Sequence, residues 1–303
     1  MPLFEAIYND DLHFVRDYIH KGGDLNVTDE MGSTPLHVAI YQGDVNLIHL
    51  LLEHGSDVNL LDEYGNSPLH VACIFGQKTA AELLIQYGAE IDSTSDQRSW
   101  TPLMVAINKS NQDIAEWLIH QGANPNYVDQ QQGWTPVLVA CDSGLTDLTL
   151  RLLERGGRVD AMVTAGDARG RSAIHLASYY GDVALVRELL RQGADINQLP
   201  TGGGLGALHW AVYNDHIDLL QFLLTEGADV NLAASGFYQQ RSALHYAICA
   251  PSLEMTDLLL NFHADPLQKD TEGRSPLDIA LSHYLEDERP VHQDLIHLLE
   301  SYI

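Results

Sequence analysis

The residues with the greatest chemical capacity are fifteen histidines and three cysteines in a chain of 303 residues. No His-Glu-x-x-His or Cys-x-x-Cys spacing occurs, so these residues do not predict a metal site. Cys73, Cys141 and Cys249 are odd in number and far apart, which predicts no disulfide framework and suits a reducing compartment. No pattern around the three thiols supports a catalytic nucleophile.

Two other features invite a catalytic interpretation without supporting it. Residues 201–206 are glycine-rich but lack the Gly-x-x-x-x-Gly-Lys-Ser/Thr order of a phosphate-binding loop, so we interpret them as a flexible finger. Carboxylates are frequent, yet no pair stands isolated in an apolar surround, where acid–base catalysis would place it. We therefore predict that the protein is not an enzyme, with no catalytic residue, no metal, no cofactor and no small-molecule substrate.

The charge balance restricts the class of partner. Sixteen Lys and Arg stand against 42 Asp and Glu, a formal net charge of -26. Such a field repels phosphate backbones and anionic lipids, so we expect a partner protein with a basic surface, and neither nucleic acid nor a membrane. No apolar run approaches the ~20 residues of a transmembrane helix. No signal peptide is visible at the N-terminus, so we expect a cytoplasmic protein, with delivery into a host cell left open.

A six-residue motif recurs every 33 to 37 residues and decides the fold class. The clear copies are Thr-Pro-Leu-His-Val-Ala at 34, Ser-Pro-Leu-His-Val-Ala at 67, Thr-Pro-Leu-Met-Val-Ala at 101 and Thr-Pro-Val-Leu-Val-Ala at 135; weaker copies start at Ser172, Gly206, Ser242 and Ser275. Thr or Ser before Pro is typical of a helix start. The apolar segment that follows each motif has i, i+3, i+4 spacing, which predicts a second, amphipathic helix.

The loops between these segments have their own pattern. Glycines stand at the end of the second helix, where a positive φ is needed: Gly55, Gly88, Gly122, Gly156, Gly193 and Gly227. Aspartates five residues before a motif start a turn, which predicts a projecting hairpin finger: Asp29, Asp62, Asp96, Asp167 and Asp270.

The combined pattern resembles the ankyrin repeat family over nearly the whole chain. We predict an all-α fold, a solenoid of about nine helix-turn-helix repeats with β-hairpin fingers. One array is expected over residues 1–303, with an N-terminal capping repeat at 1–28, internal repeats at 29–269 and a C-terminal capping repeat at 270–303. The resemblance implies structural hydrogen bonds for the motif histidines (His37, His70, His175, His209 and His245) and a loop-capping role for Asn59, Asn197 and Asn231.

The resemblance also implies that a partner binds the concave face formed by the fingers and first helices. Large side chains at positions that core packing does not require are our candidate partner-binding residues: Tyr41, Phe75, Trp100, Trp134, Arg171, Tyr179, Tyr180 and Tyr213. The alternative is that some of these rings, such as Trp100 and Trp134, pack on neighbouring fingers. Trp210 and Tyr246 replace aliphatic residues inside the motif, so we expect them in the core.

The charge is unevenly distributed along the chain. Residues 98–191 have a net charge of -1, between two arms of -13 and -12. This middle part contains both finger tryptophans and the longest connection, so we expect docking there, anchored by Trp100, Trp134, Tyr179 and Tyr180, while the acidic arms speed association. The alternative is that the acidic surface only keeps the protein soluble.

These observations favour a non-enzymatic protein-protein interaction module that masks or inhibits a basic partner, as an inhibitor or an immunity-type antagonist does. The alternative of a different class is an adaptor or secreted effector that bridges or recruits host proteins, which would need two separable surfaces. An enzyme or small-molecule sensor is the third interpretation and would need an enclosed pocket with convergent polar groups.

Overall fold

The computed structural model describes residues 2–95, 99–287 and 289–303, so the predicted turn residue Asp96 lies outside the described residues. The described part contains eighteen α-helices arranged as nine consecutive pairs, which confirms the all-α repeat fold. The helices are α1 Pro2–Tyr8, α2 Leu12–His20, α3 Pro35–Gln42, α4 Val45–Glu53, α5 Pro68–Ile74, α6 Lys78–Gln86, α7 Pro102–Asn108, α8 Gln112–His120, α9 Pro136–Asp142, α10 Thr146–Glu154, α11 Ala173–Tyr179, α12 Val183–Arg191, α13 Ala207–Tyr213, α14 Ile217–Thr225, α15 Ala243–Cys249, α16 Leu253–Asn261, α17 Pro276–Asp287 and α18 Pro290–Glu300.

The fingers are turns rather than the predicted β-hairpins. Within the described ranges there is no strand, only one isolated antiparallel bridge between Met162 and Ser172. Asp62 shows the reason, because its carboxylate accepts the backbone N–H groups of Tyr64 and Asn66 at 2.9 and 2.8 Å. Side-chain bonds of this kind satisfy a short finger locally, so no ladder is needed.

The chain divides into two compact units. The first contains residues 1–131 and 135–158, with α1 to α10, and the second contains residues 132–134 and 159–303, with α11 to α18. The single array over residues 1–303 and its capping repeats stay predictions.

The first helices of the second to eighth pairs begin directly after the first residue of the motif. Thr34 Oγ1 accepts the N–H of His37, and Pro35 occupies the first helical turn of α3. The backbone N–H of Thr34 donates to Nδ1 of His37 at 3.2 Å, so Nε2 of that ring carries the proton and donates to the carbonyl of Asn66 at 3.1 Å. One buried ring therefore caps its own helix and bonds the next finger, which confirms the structural role predicted for this position.

The buried motif histidines have lowered pKa values. Burial lowers the pKa of His70, His175 and His209 to about 4. Met104 and Leu138 hold the same position in two repeats and are fully buried, so an apolar side chain also fits there.

The second helices end as the sequence predicts. The glycines after α4, α6, α8, α10, α12 and α14 all have φ between 86° and 94°. His263, after α16, takes the equivalent place with φ 66°. A side chain is strained in this left-handed region, so this helix end is the unfavourable one.

The loop asparagines connect neighbouring repeats. The side-chain oxygen of Asn59 accepts the backbone N–H of Glu90 at 2.9 Å, and Asn197 accepts that of Asp229 at 2.8 Å. Asn231 accepts the N–H of Asp265 in the same way, at 2.8 Å. The predicted loop-capping role is confirmed for all three.

Candidate interaction surface

Two exposed aromatic side chains of the first unit, Tyr41 and Phe75, are in contact. Tyr41 and Phe75, at the ends of α3 and α5, are 40% and 52% exposed, and their rings meet edge to face with centroids 5.2 Å apart. Partial burial raises the pKa of Tyr41, and the carboxylates of Asp62 and Asp29 raise it further. The pair therefore lies in negatively charged surroundings.

Trp100 does not have the exposed ring that we predicted for it. Its residue is 8% exposed, and its carbonyl accepts a hydrogen bond from Nε2 of His70 at 2.9 Å. It lines one wall of an open cleft with Tyr64, Ile74 and Lys109. The expectation of a surface ring is wrong here because the finger that carries Trp100 is bonded to the preceding repeat through His70.

The second unit carries a larger group, which we call the aromatic patch: Tyr179, Tyr180, Trp210, Tyr213 and Tyr246. Each ring meets another edge to face, in the order Tyr180, Tyr179, Trp210, Tyr213 and Tyr246, at centroid distances of 5.1, 5.2, 5.8 and 6.2 Å. Tyr179, Tyr180 and Tyr213 lie at the ends of α11 and α13 and are 44%, 48% and 59% exposed. Edge-to-face contacts favour such clusters and hold the rings in place.

Trp210 forms the floor of the patch. It is 7% exposed and packs with Leu205 and Ala234, as predicted for a core residue. Its indole Nε1 is buried without a hydrogen-bond acceptor. The guanidinium of Arg171 lies over its ring, 5.2 Å from the centroid.

Tyr246 closes the other end of the patch and is only half-buried. Burial raises its pKa to about 12, although the positive charge of Arg241 acts in the opposite direction. Its hydroxyl therefore stays protonated and donates to the carbonyl of Tyr238 at 3.5 Å.

The predicted binding residues are shared between the two units. Tyr41, Phe75 and Trp100 belong to the first, whereas Trp134, Arg171, Tyr179, Tyr180 and Tyr213 belong to the second. Trp134 is half-buried, and its Nε1 donates to Oε1 of Gln132 at 3.1 Å, so its ring is held within its own finger. The structure brings Arg171 and the three exposed tyrosines together.

Sequence reasoning missed Phe237, which is fully exposed at the tip of the finger formed by residues 235–240. This finger packs closely on the preceding one, because a Cβ on Gly203 would lie 2.7 Å from Cα of Gly236. The N–H of Ser235 donates to the carbonyl of Gly204 at 3.2 Å. Two adjacent aromatic residues in a lengthened finger were the available signal.

The backbone after Phe237 is strained, and hydrogen bonds keep it in this conformation. Gln239 and Gln240 have φ of 59° and 51°, a conformation that costs roughly 1–2 kcal/mol for a residue with a side chain. The carbonyl of Gln239 accepts the N–H of Thr271 at 2.8 Å, and its Nε2 donates to Glu272 at 2.6 Å. The following finger thus fixes this conformation. Strained backbone that its surroundings hold in place is frequent at binding sites.

Metal-binding groups, thiols and long apolar helices were sought among the described residues. Among them, no group of three His, Cys, Asp or Glu side chains is placed to hold a metal ion. Burial raises the pKa of the Cys73 and Cys249 thiols, which disfavours a nucleophilic thiolate. None of the described helices combines the length and the apolarity needed to cross a membrane.

The comparisons with known proteins agree with the geometry. A family model described as Ankyrin repeats (3 copies) matches residues 3–95, 92–163, 157–234 and 208–299. Ankyrin repeat domain-containing protein 29 of Danio rerio is 54% identical over 48 residues, which cover 16% of this chain and 15% of that protein. Repeats of this kind indicate a protein–protein interaction module and are generally non-enzymatic.

Proposed function

Since this chain belongs to the ankyrin repeat family, we propose that it binds a protein partner through the aromatic patch and masks the partner's own surface. The observation that carries the proposal is the continuous row of five rings, with three tyrosines about half exposed. Tyr and Trp dominate binding hot spots because they bury much apolar area and lose few rotatable bonds. Phe237 is exposed on the finger whose Tyr238 carbonyl accepts a hydrogen bond from Tyr246.

The charge supports a partner with a basic surface. The net charge of -26 attracts such a partner over distances beyond direct contact, although salt screens the attraction beyond ~8 Å. The patch itself is lined by neutral rings, which are cheaper to desolvate than carboxylates. We therefore propose that the acidic surface speeds association and that the rings slow dissociation.

A second function, bridging two partners, is favoured by one observation. The ring pair of Tyr41 and Phe75 is a separate exposed aromatic surface within the first unit. An adaptor would use both surfaces, whereas a masking protein would use the aromatic patch alone.

The test is affinity capture from a lysate of the source cells, followed by binding kinetics with the captured partner. Tyr213→Ala should weaken binding by roughly 2 kcal/mol or more, mainly through faster dissociation. Tyr87→Ala is the matched control, because Tyr87 is 40% exposed but follows α6, outside the first helices. Binding that survives Tyr213→Ala unchanged would contradict the proposal.

The stoichiometry separates masking from bridging. One partner whose binding depends on Tyr213 and not on Phe75 supports masking. Two partners, one lost with Tyr213→Ala and the other with Phe75→Ala, support an adaptor. Raising the salt concentration should slow association in either case, and an association rate that ignores salt contradicts a basic partner.

A further inference from the structure

Arg171 differs from the other arginines that directly precede a motif. Arg241 and Arg274 both pair with the buried carboxylate of Asp270, at 3.4 and 3.6 Å. Arg241 reaches Asp270 at the start of the following finger, but the finger after Arg171 starts at Thr201, which has no carboxylate. The glycine-rich stretch therefore removes the internal partner that an arginine at this position has elsewhere.

The finger that carries Arg171 does not supply a carboxylate either. Arg274 pairs with Asp270 four residues earlier, and the residue four before Arg171 is Asp167. This finger has a different conformation, in which the N–H of Val163 donates to the carbonyl of Arg171 at 3.0 Å. Among the described residues, Arg171 has no carboxylate within ion-pairing distance; its contact is the ring of Trp210.

Two donor groups at this end of the aromatic patch thus lack an acceptor among the described residues. One is the guanidinium of Arg171, a half-buried residue, and the other is Nε1 of Trp210. A guanidinium stacked on an indole ring keeps its in-plane N–H groups free for a carboxylate, which it binds through two parallel hydrogen bonds. A ligand that satisfies both donors would carry an anionic hydrogen-bond acceptor beside apolar groups.

We propose that Arg171 determines the specificity of the aromatic patch by pairing with an Asp or Glu side chain in the bound segment of the partner, next to apolar residues that contact Tyr179 and Tyr213. This inference rests on the proposed function and adds the partner residue that is recognised. It is compatible with a partner that is basic overall, because the long-range field and the single contact act over different distances.

The probe is a displayed library of random twelve-residue peptides, selected against the full chain. Peptides enriched on the parent should contain Asp or Glu beside aromatic or aliphatic residues. Synthetic copies are amidated at the C-terminus, so that the carboxylates are those of side chains. Arg171→Gln should weaken their binding at least about tenfold, the usual loss for a hydrogen bond to a charged group.

Charge reversal sharpens the test. Selection against Arg171→Glu should enrich Lys or Arg in place of the acidic residue, and Arg171→Lys should keep the acidic preference with weaker binding. In a double-mutant cycle, Glu→Gln in the peptide should cost nothing further on Arg171→Gln. The control is Arg187→Gln, because Arg187 also lies over a ring, 4.3 Å from the centroid of Phe222, but on α12 away from the patch.

The two proposals fail in distinguishable ways. Enriched peptides that need Tyr213 but carry no acidic residue, or that bind Arg171→Gln like the parent, overturn the role of Arg171 and leave the proposed function intact. Peptides whose binding is indifferent to Tyr213→Ala contradict the patch itself, and with it this inference. Unchanged thermal unfolding of the Arg171 variants excludes misfolding as the cause, and the Glu→Gln peptide tests the pairing on the parent chain.

Discussion

In the first unit, the exposed rings of Tyr41 and Phe75 lie near the carboxylates of Asp29 and Asp62. In the second unit, the larger row of rings lies beside the guanidinium of Arg171. The positions beneath these surfaces are alike, because the third motif residue is buried in both units. The repeat therefore conserves its core and its caps along the chain, while the positions that face outwards give each unit a different chemistry.

The largest effect tests whether the two cores are equivalent. Leu69 in the first unit and Leu208 in the second are 0% and 2% exposed at the same motif position. Replacing either with Ala should cost roughly 2–5 kcal/mol, the loss for a large-to-small change in a core. Denaturant unfolding of both variants measures it. A cost below about half a kcal/mol in one unit would show that the leucine there is not a core residue.

The next effect concerns pH and the motif histidines. Burial keeps His70 and His209 neutral in the folded protein, with a pKa of about 4, whereas the unfolded chain takes up protons below its ordinary value of 6.5. The stability that they contribute is therefore complete above about pH 6.5 and is lost as the pH falls towards 4. Each histidine contributes a slope of up to about 1.4 kcal/mol per pH unit in that window.

The position held by Met104 and Leu138 provides the matched variants. His70→Met and His209→Met should each reduce the slope of the unfolding free energy against pH between pH 6.5 and 4 by the contribution of one histidine. Unfolding free energies of parent and variants at several pH values measure the slope, whatever the cost of the substitution at pH 7. Equal slopes in the parent and both variants would rule out these rings as the cause of acid destabilisation.

The smallest effect lies at the end of α16 in the second unit. His263 has φ 66° where α12 and α14 are followed by Gly193 and Gly227, and its carbonyl accepts a hydrogen bond from Nδ2 of Asn231 at 3.3 Å. His263→Gly should stabilise the protein by roughly 0.5–1 kcal/mol, since glycine adopts this conformation without strain. Gly227→Ala is the opposite change at the equivalent site and should destabilise it. A lower melting temperature for His263→Gly would contradict this explanation.

Most of the fold could be predicted from the sequence, and less of the surface. The helix starts at Thr34 and Ser67 and the glycine ends were predictable, because caps and turns depend on residues within about four positions. The fingers were predicted as β-hairpins but are turns, since side chains such as Asp62 satisfy their backbone locally. Nothing in the local pattern separates these two outcomes.

The sequence by itself determined the repeat, the paired helices, the buried histidines and the acidic character of the chain. Only the tertiary structure decided that Trp100 is buried while Tyr213 is exposed, and that Arg171 covers Trp210. The full exposure of Phe237 at the tip of its finger was also visible only in the structure. The physical reason is distance along the chain. Periodicity and capping arise within one repeat, whereas the burial of a ring or the pairing of a charge depends on the side chains of the next repeat, more than thirty residues away.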